Sequence, residues 1–304
     1  MDGSTIAFLG FAALFVLLFI RMPVGLAMML IGTVGIYFIR PPAAIPKLAG
    51  EIFSEAANYP LTIIPLFVLM GNLAGISGMS RDLYDAAHSW FGHRRGGLAS
   101  ATVVGCAGFS ALSGSSLAAA LTVGRVALPE MKRYNYDSGL ATGAIAAGGT
   151  LGILIPPSAG FVVYAILTEE SIGRLFLAGV LPGILLTVLF IIAITIVVWR
   201  DPSKAPQSAT VMSMGDRLKA LGKAGWILGI IVLTIGGIYT GVFSAVEAAG
   251  IGAALAFVVT FIRGAISWPN LVDVFTTTLR ASGTLFLILF GAFNRSPIDI
   301  IVAD

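Results

Sequence analysis

Charge is what this sequence has least of. Only 11% of its 304 residues are Asp, Glu, Lys or Arg, while 57% are hydrophobic and the mean hydropathy is +0.96. A soluble domain carries about 25% charged residues, so a fully wetted surface is excluded, and with it soluble enzymes and nucleic-acid binders. Cysteine is nearly absent: the single Cys106 rules out an intramolecular disulfide and a thiolate metal cluster. The two histidines, His88 and His93, stand in a basic segment off the i, i+4 spacing of a helical metal pair, and read as solvated side chains. No Gly-Lys-Ser/Thr triplet occurs, which excludes ATP hydrolysis by a P-loop in this chain. Gly75-Ile76-Ser77-Gly78 has the Gly-x-Ser-Gly pattern of intramembrane serine proteases, but such a site needs a base and neither histidine lies in an apolar run.

What the chain does have is a series of apolar runs: 6–20, 22–39, 61–78, 96–124, 139–168, 175–199, 225–243, 248–262 and 285–293. At roughly 20 apolar residues per span there is room for eight or more membrane segments. The runs are continuous rather than alternating, which argues against a β-barrel and for an all-α, polytopic, lipid-embedded fold. The first run is read as a helix, not a cleaved signal: Met1–Thr5 holds Asp2 and no cation, and Arg21 follows without a small-residue cleavage site. Basic loops at 81–95, 125–133 and 200–223 should all be cytoplasmic.

That requirement makes the 96–124 run leave the membrane on the side it entered. A polar knot, Ser110-Ala111-Leu112-Ser113-Gly114-Ser115-Ser116, divides it into arms of about 14 residues, roughly 20 Å each and short of a core about 30 Å thick. A re-entrant hairpin is expected, tolerated only where protein or a water-filled cavity surrounds it. Counting crossings then puts the N-terminus outside; of the 18 Lys and Arg only Arg40, Lys47, Arg174 and Arg295 lie outside with it. The net charge of +3 reports on this topology rather than on an acidic partner.

Sliding the chain by 223 positions superposes Ile39-Arg40 on Ile262-Arg263, Pro46 on Pro269, Leu48 on Leu271 and Phe67 on Phe290. In each copy a helix ends in Ile-Arg, a short amphipathic stretch with Pro-x-Leu follows, and an apolar helix begins. The copies start on opposite sides, which makes an inverted repeat, the plan of many secondary transporters. The expected organisation is a first repeat unit, 1–173, comprising scaffold helices 6–78, an interfacial arm 79–95, the hairpin 96–128 and a broken helix 139–168. A linker follows at 174–224 and an incomplete second unit at 225–304. A complete second copy would extend roughly 90 residues beyond Asp304, so the chain reads as a shortened product.

Two Gly/Ser/Pro clusters carry the chemistry. One is the knot, with Ser113, Gly114, Ser115 and Ser116; the other is Gly148-Gly149-Thr150-Leu151-Gly152-Ile153-Leu154-Ile155-Pro156-Pro157-Ser158. Pro156 and Pro157 lack the helical donor and clash with the preceding turn, so the helix should open there. Carbonyls freed at Gly152 and Ile155, with Ser and Thr hydroxyls, would make an uncharged all-oxygen site for a monovalent cation such as Na⁺. Helix N-termini beside the breaks would favour a substrate carboxylate. The pairs Gly71/Gly75 and Gly225/Gly229 have no adjacent break and are read as helix packing. Glu247, an acid without a nearby cation, is read as closing a capping box with Ser244.

The Leu-Gly-Ile-x-Ile-Pro-Pro-Ser core, the Ser-Gly-Ser-Ser knot and Leu128-Pro129-Glu130-Met131-Lys132-Arg133-Tyr134 resemble the large membrane subunit of TRAP transporters, the tripartite ATP-independent periplasmic carriers. Arg21-Met22-Pro23-Val24-Gly25 and Gly237-Ile238-Tyr239-Thr240-Gly241-Val242-Phe243 also resemble that family. The resemblance implies an elevator-type permease of a bacterial inner membrane, not an enzyme, with no cofactor and Na⁺ as coupling ion. It would work beside a small four-helix membrane subunit and a periplasmic solute-binding protein that delivers a carboxylate, such as a C4-dicarboxylate or sialic acid. By motif match the cation site would be Ser113, Gly114, Ser115, Ser116, Gly152, Ile155 and Pro156. The substrate wall would be Ser116, Thr150, Pro157 and Ser158. Where the family has Thr-Pro-Thr-Glu-Ala this chain has Ser244-Ala245-Val246-Glu247-Ala248, leaving that segment a capping role. A stand-alone carrier of the same superfamily and a non-transporting fragment are the competing readings.

Overall fold

The structure, a computed structural model, describes residues 3–39, 41–206 and 212–293; Arg40, Arg295 and the expected helix break at 294–299 lie outside them. The described residues form helices and connecting turns only. Among the described residues five helical stretches are long and apolar enough to cross a membrane: 59–76, 138–167, 172–200, 245–262 and 268–293. A sixth span arises if the bent pair 214–223 and 225–239 counts as one, and three shorter apolar helices, 8–19, 24–38 and 97–113, complete the set. The chain divides into two compact units, 1–62 with 279–304, and 63–278.

In the first unit α1 (Gly3–Phe19) and α2 (Val24–Ile39) are joined at Pro23, and the amphipathic α3 (Ala44–Ala56) follows two prolines that end α2. The C-terminal part of the last described helix packs on α2 here. A methyl group on Gly291 would lie 2.6 Å from the Gly25 carbonyl and 2.9 Å from Met28 Cβ, so only glycine permits this approach.

The second unit holds α4 (Ile63–Ile76), α5 (Met79–Phe91), α6 (Gly97–Ser113), α7 (Ser116–Arg133), α8 (Ser138–Leu154), α9 (Ala159–Leu167), α10 (Ile172–Arg200), α11 (Met214–Lys223), α12 (Gly225–Tyr239), α13 (Ala245–Ile262) and the first part of α14 (Trp268–Phe293). Its boundaries follow local chemistry. Gly78 and Gly96, both with positive φ (79° and 74°), turn the chain into and out of α5. Asp137, Ser171, Ser213 and Ser244 cap the helices that follow them. Glu247 completes a capping box, accepting from the Ser244 amide at 2.8 Å while its own amide donates to Ser244 Oγ at 3.3 Å. In the core of this unit α6 packs on α8, α7 on α8, and α4 on α13, burying Phe109, Leu112, Leu151, Met70 and Leu73.

Several expectations change. The hairpin's second arm runs on as α7 through Arg125, Lys132 and Arg133, so 125–133 is helix rather than loop. The arms have 17 and 18 residues, about 26 Å each by helical rise. The 200–223 loop contains α11. Where the expected repeat would have its amphipathic and apolar parts, residues 268–293 form one helix of 26 residues, α14. The first copy has Pro60 between them; the matching position, Gly283, keeps its amide and the helix continues. Of the glycine pairs assigned to packing, only Gly71 is tightly packed; Gly75, Gly225 and Gly229 face open space. His88 is not a solvated side chain: it is half-buried and stacks on Tyr84, with centroids 6.2 Å apart. Ser77, the serine of the Gly-x-Ser-Gly pattern, uses its hydroxyl locally, donating to the Ala74 carbonyl and accepting from the Met79 amide.

Candidate functional site

Two chain breaks meet inside the second unit. The first lies between α6 and α7: Gly114 takes a left-handed conformation (φ 58°) that ends α6, and the extended Ser115 starts α7, its hydroxyl accepting from the Ala118 amide at 3.3 Å. The second lies between α8 and α9. The Ile155 amide makes the last helical bond, to Leu151 at 2.8 Å, and two prolines follow. Neither proline has an N–H, so the Gly152 and Ile153 carbonyls lose their i+4 donors. The expected opening of the helix at Pro156-Pro157 is therefore found.

The two breaks touch. The Ala159 amide, first in α9, donates to the Gly114 carbonyl at 3.3 Å. A methyl group on Gly114 would lie 2.5 Å from the Pro157 carbonyl oxygen. One on Gly152 would lie 2.6 Å from the Ser116 nitrogen and 2.9 Å from the Ser115 oxygen. Glycine at both places is what lets backbone meet backbone. The helix ends are thus collected at one locus: the C-termini of α6 and α8 present their last-turn carbonyls, and the N-termini of α7 and α9 their first-turn amides.

Side chains add to this polarity. The hydroxyls of Ser110, Ser113, Ser116 and Ser158 are buried and have no hydrogen-bond partner. A buried hydroxyl left unpaired costs about 1–3 kcal/mol, so four around one crossing form a donor set that fits a ligand rather than a sealed packing interface. Every one of these donors is neutral, and among the described residues no group of three or more His, Cys, Asp or Glu could hold a metal ion. Neutral oxygens without carboxylate suit a weakly charged hard cation better than a divalent one.

Of the residues expected at the site, Ser113, Gly114, Ser115, Ser116, Gly152, Ile155, Pro156, Pro157 and Ser158 are brought together. Ser115 differs in using its hydroxyl to cap α7. Thr150 is not brought in: it lies on an exposed face of α8 and its hydroxyl donates to the Ala147 carbonyl at 2.7 Å. Ser110 was overlooked as a site residue, although its i, i+3 spacing to Ser113 puts both hydroxyls on one side of α6. Also overlooked were Gly179 and Gly183 of α10. Gly183 is pressed on the Ile155 side chain and Gly179 on Phe161 and the Leu154 carbonyl, so α10 backs the second break. Their small-xxx-small spacing was the available signal. Gly71 of α4 supports the first break in the same way, 2.5 Å from an added methyl to Ser113 Cα.

A family model described as "Tripartite ATP-independent periplasmic transporter, DctM component" matches residues 11–294. The chain is similar to the C4-dicarboxylate TRAP transporter large permease protein DctM of Pseudomonas aeruginosa, 43% identical over 222 residues, covering 73% of this chain and 51% of that protein. The Vibrio cholerae protein of the same name is 38% identical over 251 residues, 81% of this chain and 54% of its own length. The sialic acid TRAP transporter large permease protein SiaM of Vibrio cholerae is 30% identical over 293 residues, 96% of this chain and 66% of that protein. The chain spans about half the length of the first two relatives. Two crossed helix breaks, a series of apolar helices and a match over nearly all of its residues lead to one assignment: the chain belongs to the DctM component family of tripartite ATP-independent periplasmic transporters.

Proposed function

We propose that this chain supplies one ion-binding half of a Na⁺-driven carboxylate permease and is not an enzyme. The observation that carries the reading is the set of four unpartnered serine hydroxyls at the crossing of two helix breaks. Na⁺ would be held by the hydroxyls of Ser113, Ser116 and Ser158 and by carbonyls at the ends of α6 and α8, including Gly152 and Ile155. The α7 and α9 N-termini would draw the substrate's carboxylate close to the cation, so that each ligand raises the affinity for the other. Pro157 and Ser158 would form a wall beside it. Transport would follow by movement of this hairpin and broken helix across the bilayer, the arm helix α5 bending with them. The names of two relatives give C4-dicarboxylate and sialic acid, and both of these acids carry a carboxylate.

In this reading the protein sits in a bacterial inner membrane with its N-terminus in the periplasm. It works with a small four-helix membrane subunit and a periplasmic solute-binding protein that selects the acid. Support for the orientation comes from the basic segments 81–95, 125–133 and 200–223, which share one side under it. The test is uptake into proteoliposomes holding the chain, the small subunit and the substrate-loaded binding protein. Uptake that follows an imposed Na⁺ gradient and is lost in Ser116→Ala/Ser158→Ala supports the proposal. Uptake indifferent to Na⁺, or to that double change, contradicts it.

A further inference from the structure

The segment after α10 holds a helix that the second unit leaves almost unburied. In α11, MGDRLKALGK, no residue is buried, and Met214, Leu218 and Leu221 are 60%, 59% and 40% exposed. Their spacing, i, i+4, i+7, puts all three on one stripe. Asp216, Lys219 and Lys223 occupy the opposite face, and Arg217 lies on a flank, its guanidinium 5.8 Å from the Trp90 ring of α5. The helix carries three cations against one anion. It leads into the apolar α12 through a bend of 57°, and Trp226, 52% exposed, stands at the start of that candidate span.

An exposed apolar stripe on a short helix would be an aggregation liability in water. Here it occurs where a membrane span begins, with an exposed tryptophan beside it and a cationic excess, the composition of a helix lying in the headgroup layer. We infer that α11 is an interfacial anchor whose Met214, Leu218 and Leu221 enter the acyl boundary while its cations meet acidic lipid headgroups. Through Arg217 on Trp90 it holds the arm helix α5 to the membrane surface, fixing the level about which the neighbouring hairpin would move. This rests on the chain being in a membrane, and not on the cation site.

The test uses the full chain with Cys106→Ala, spin-labelled singly at Leu218→Cys or Lys219→Cys, in nanodiscs of phosphatidylcholine with or without phosphatidylglycerol. With acidic lipid, the label at position 218 should be several-fold more accessible to oxygen than to a water-soluble nickel chelate, and the label at 219 should show the reverse. Removing phosphatidylglycerol should lower the ratio at 218 several-fold, while a label in place of Leu181 on α10 stays unchanged. Equal nickel accessibility at 218 and 219 overturns the anchor. A ratio at 218 indifferent to phosphatidylglycerol overturns the acidic-headgroup assignment. Protection of 218 from both reagents, appearing only when the small subunit is added, overturns it in favour of a protein contact.

Discussion

The Ala159 amide donates to the Gly114 carbonyl across 3.3 Å, joining the first turn of α9 to the tip of the hairpin. The bond brings together two backbone groups that neither helix satisfies alone. Backbone contact at this level needs glycine at 114 and 152, because a Cβ at either place would meet backbone atoms at 2.5–2.6 Å. Gly152→Ala should therefore destabilise the chain by about 1–3 kcal/mol through overpacking. Gly114→Ala adds the strain of a left-handed alanine, about 1–2 kcal/mol. Thermal unfolding in detergent measures both, and Gly75→Ala, where an added methyl meets nothing, serves as the neutral control.

The four buried hydroxyls give a prediction whose sign separates ligand from packing. In the absence of Na⁺, Ser116→Ala and Ser158→Ala should leave stability unchanged or raise it by about 1 kcal/mol, because an unsatisfied buried hydroxyl is removed. In saturating Na⁺ the same variants should be less stable than the parent. Melting curves with Na⁺ and with choline as the counterpart cation report both halves. Destabilisation of equal size in the two media would mean that the serines only pack.

Arg263, at the end of α13, meets Asp82 of α5 at 2.6 Å and also donates to the Ser77 carbonyl at 3.4 Å. The pair is largely shielded, with side-chain exposures of 23% and 20%. Arg263→Ala should destabilise more than Asp82→Ala, since it leaves Asp82 unpaired beside Asp85. A double-mutant cycle should return a coupling of about 1–3 kcal/mol. Additive effects would make the contact incidental.

A pH dependence follows from α5. Burial against neighbouring groups, opposed by Glu130 and Asp85, holds the His88 imidazole below its ordinary 6.5. Between that value and the lowered one the unfolded chain binds a proton that the folded chain does not. Stability should therefore fall as pH drops through this window and be flat above it. Partial burial and the Asp82 charge push the Asp85 carboxyl upward, which acts in the opposite direction at lower pH. His88→Gln should flatten the slope just below 6.5 in melting temperatures measured across that range.

Helix positions were legible because apolar runs and their caps are local: 172–200, 245–262 and both breaks follow from prolines, glycines and capping serines that act within a few residues. What the sequence concealed depends on partners far along the chain. Thr150 sits in the right motif, yet helical phase turns it to the exposed face. Gly183 matters only because Ile155 lies against it, and His88 only because Tyr84 packs on its ring. The fused α14 shows the same limit from the other side: a repeat that matches at Pro269 and Leu271 still loses its break where Pro60 has no proline counterpart.

Under the proposed function the crossing of the two breaks binds Na⁺. The most direct measurement is the Na⁺-dependent shift of the unfolding midpoint of the purified chain at constant ionic strength. A ligand at a hundred times its Kd stabilises by about 2.7 kcal/mol. The midpoint should rise saturably with Na⁺, with no rise in K⁺ and none in Ser116→Ala/Ser158→Ala. A rise of equal size with K⁺, or one that survives the double substitution, would contradict it.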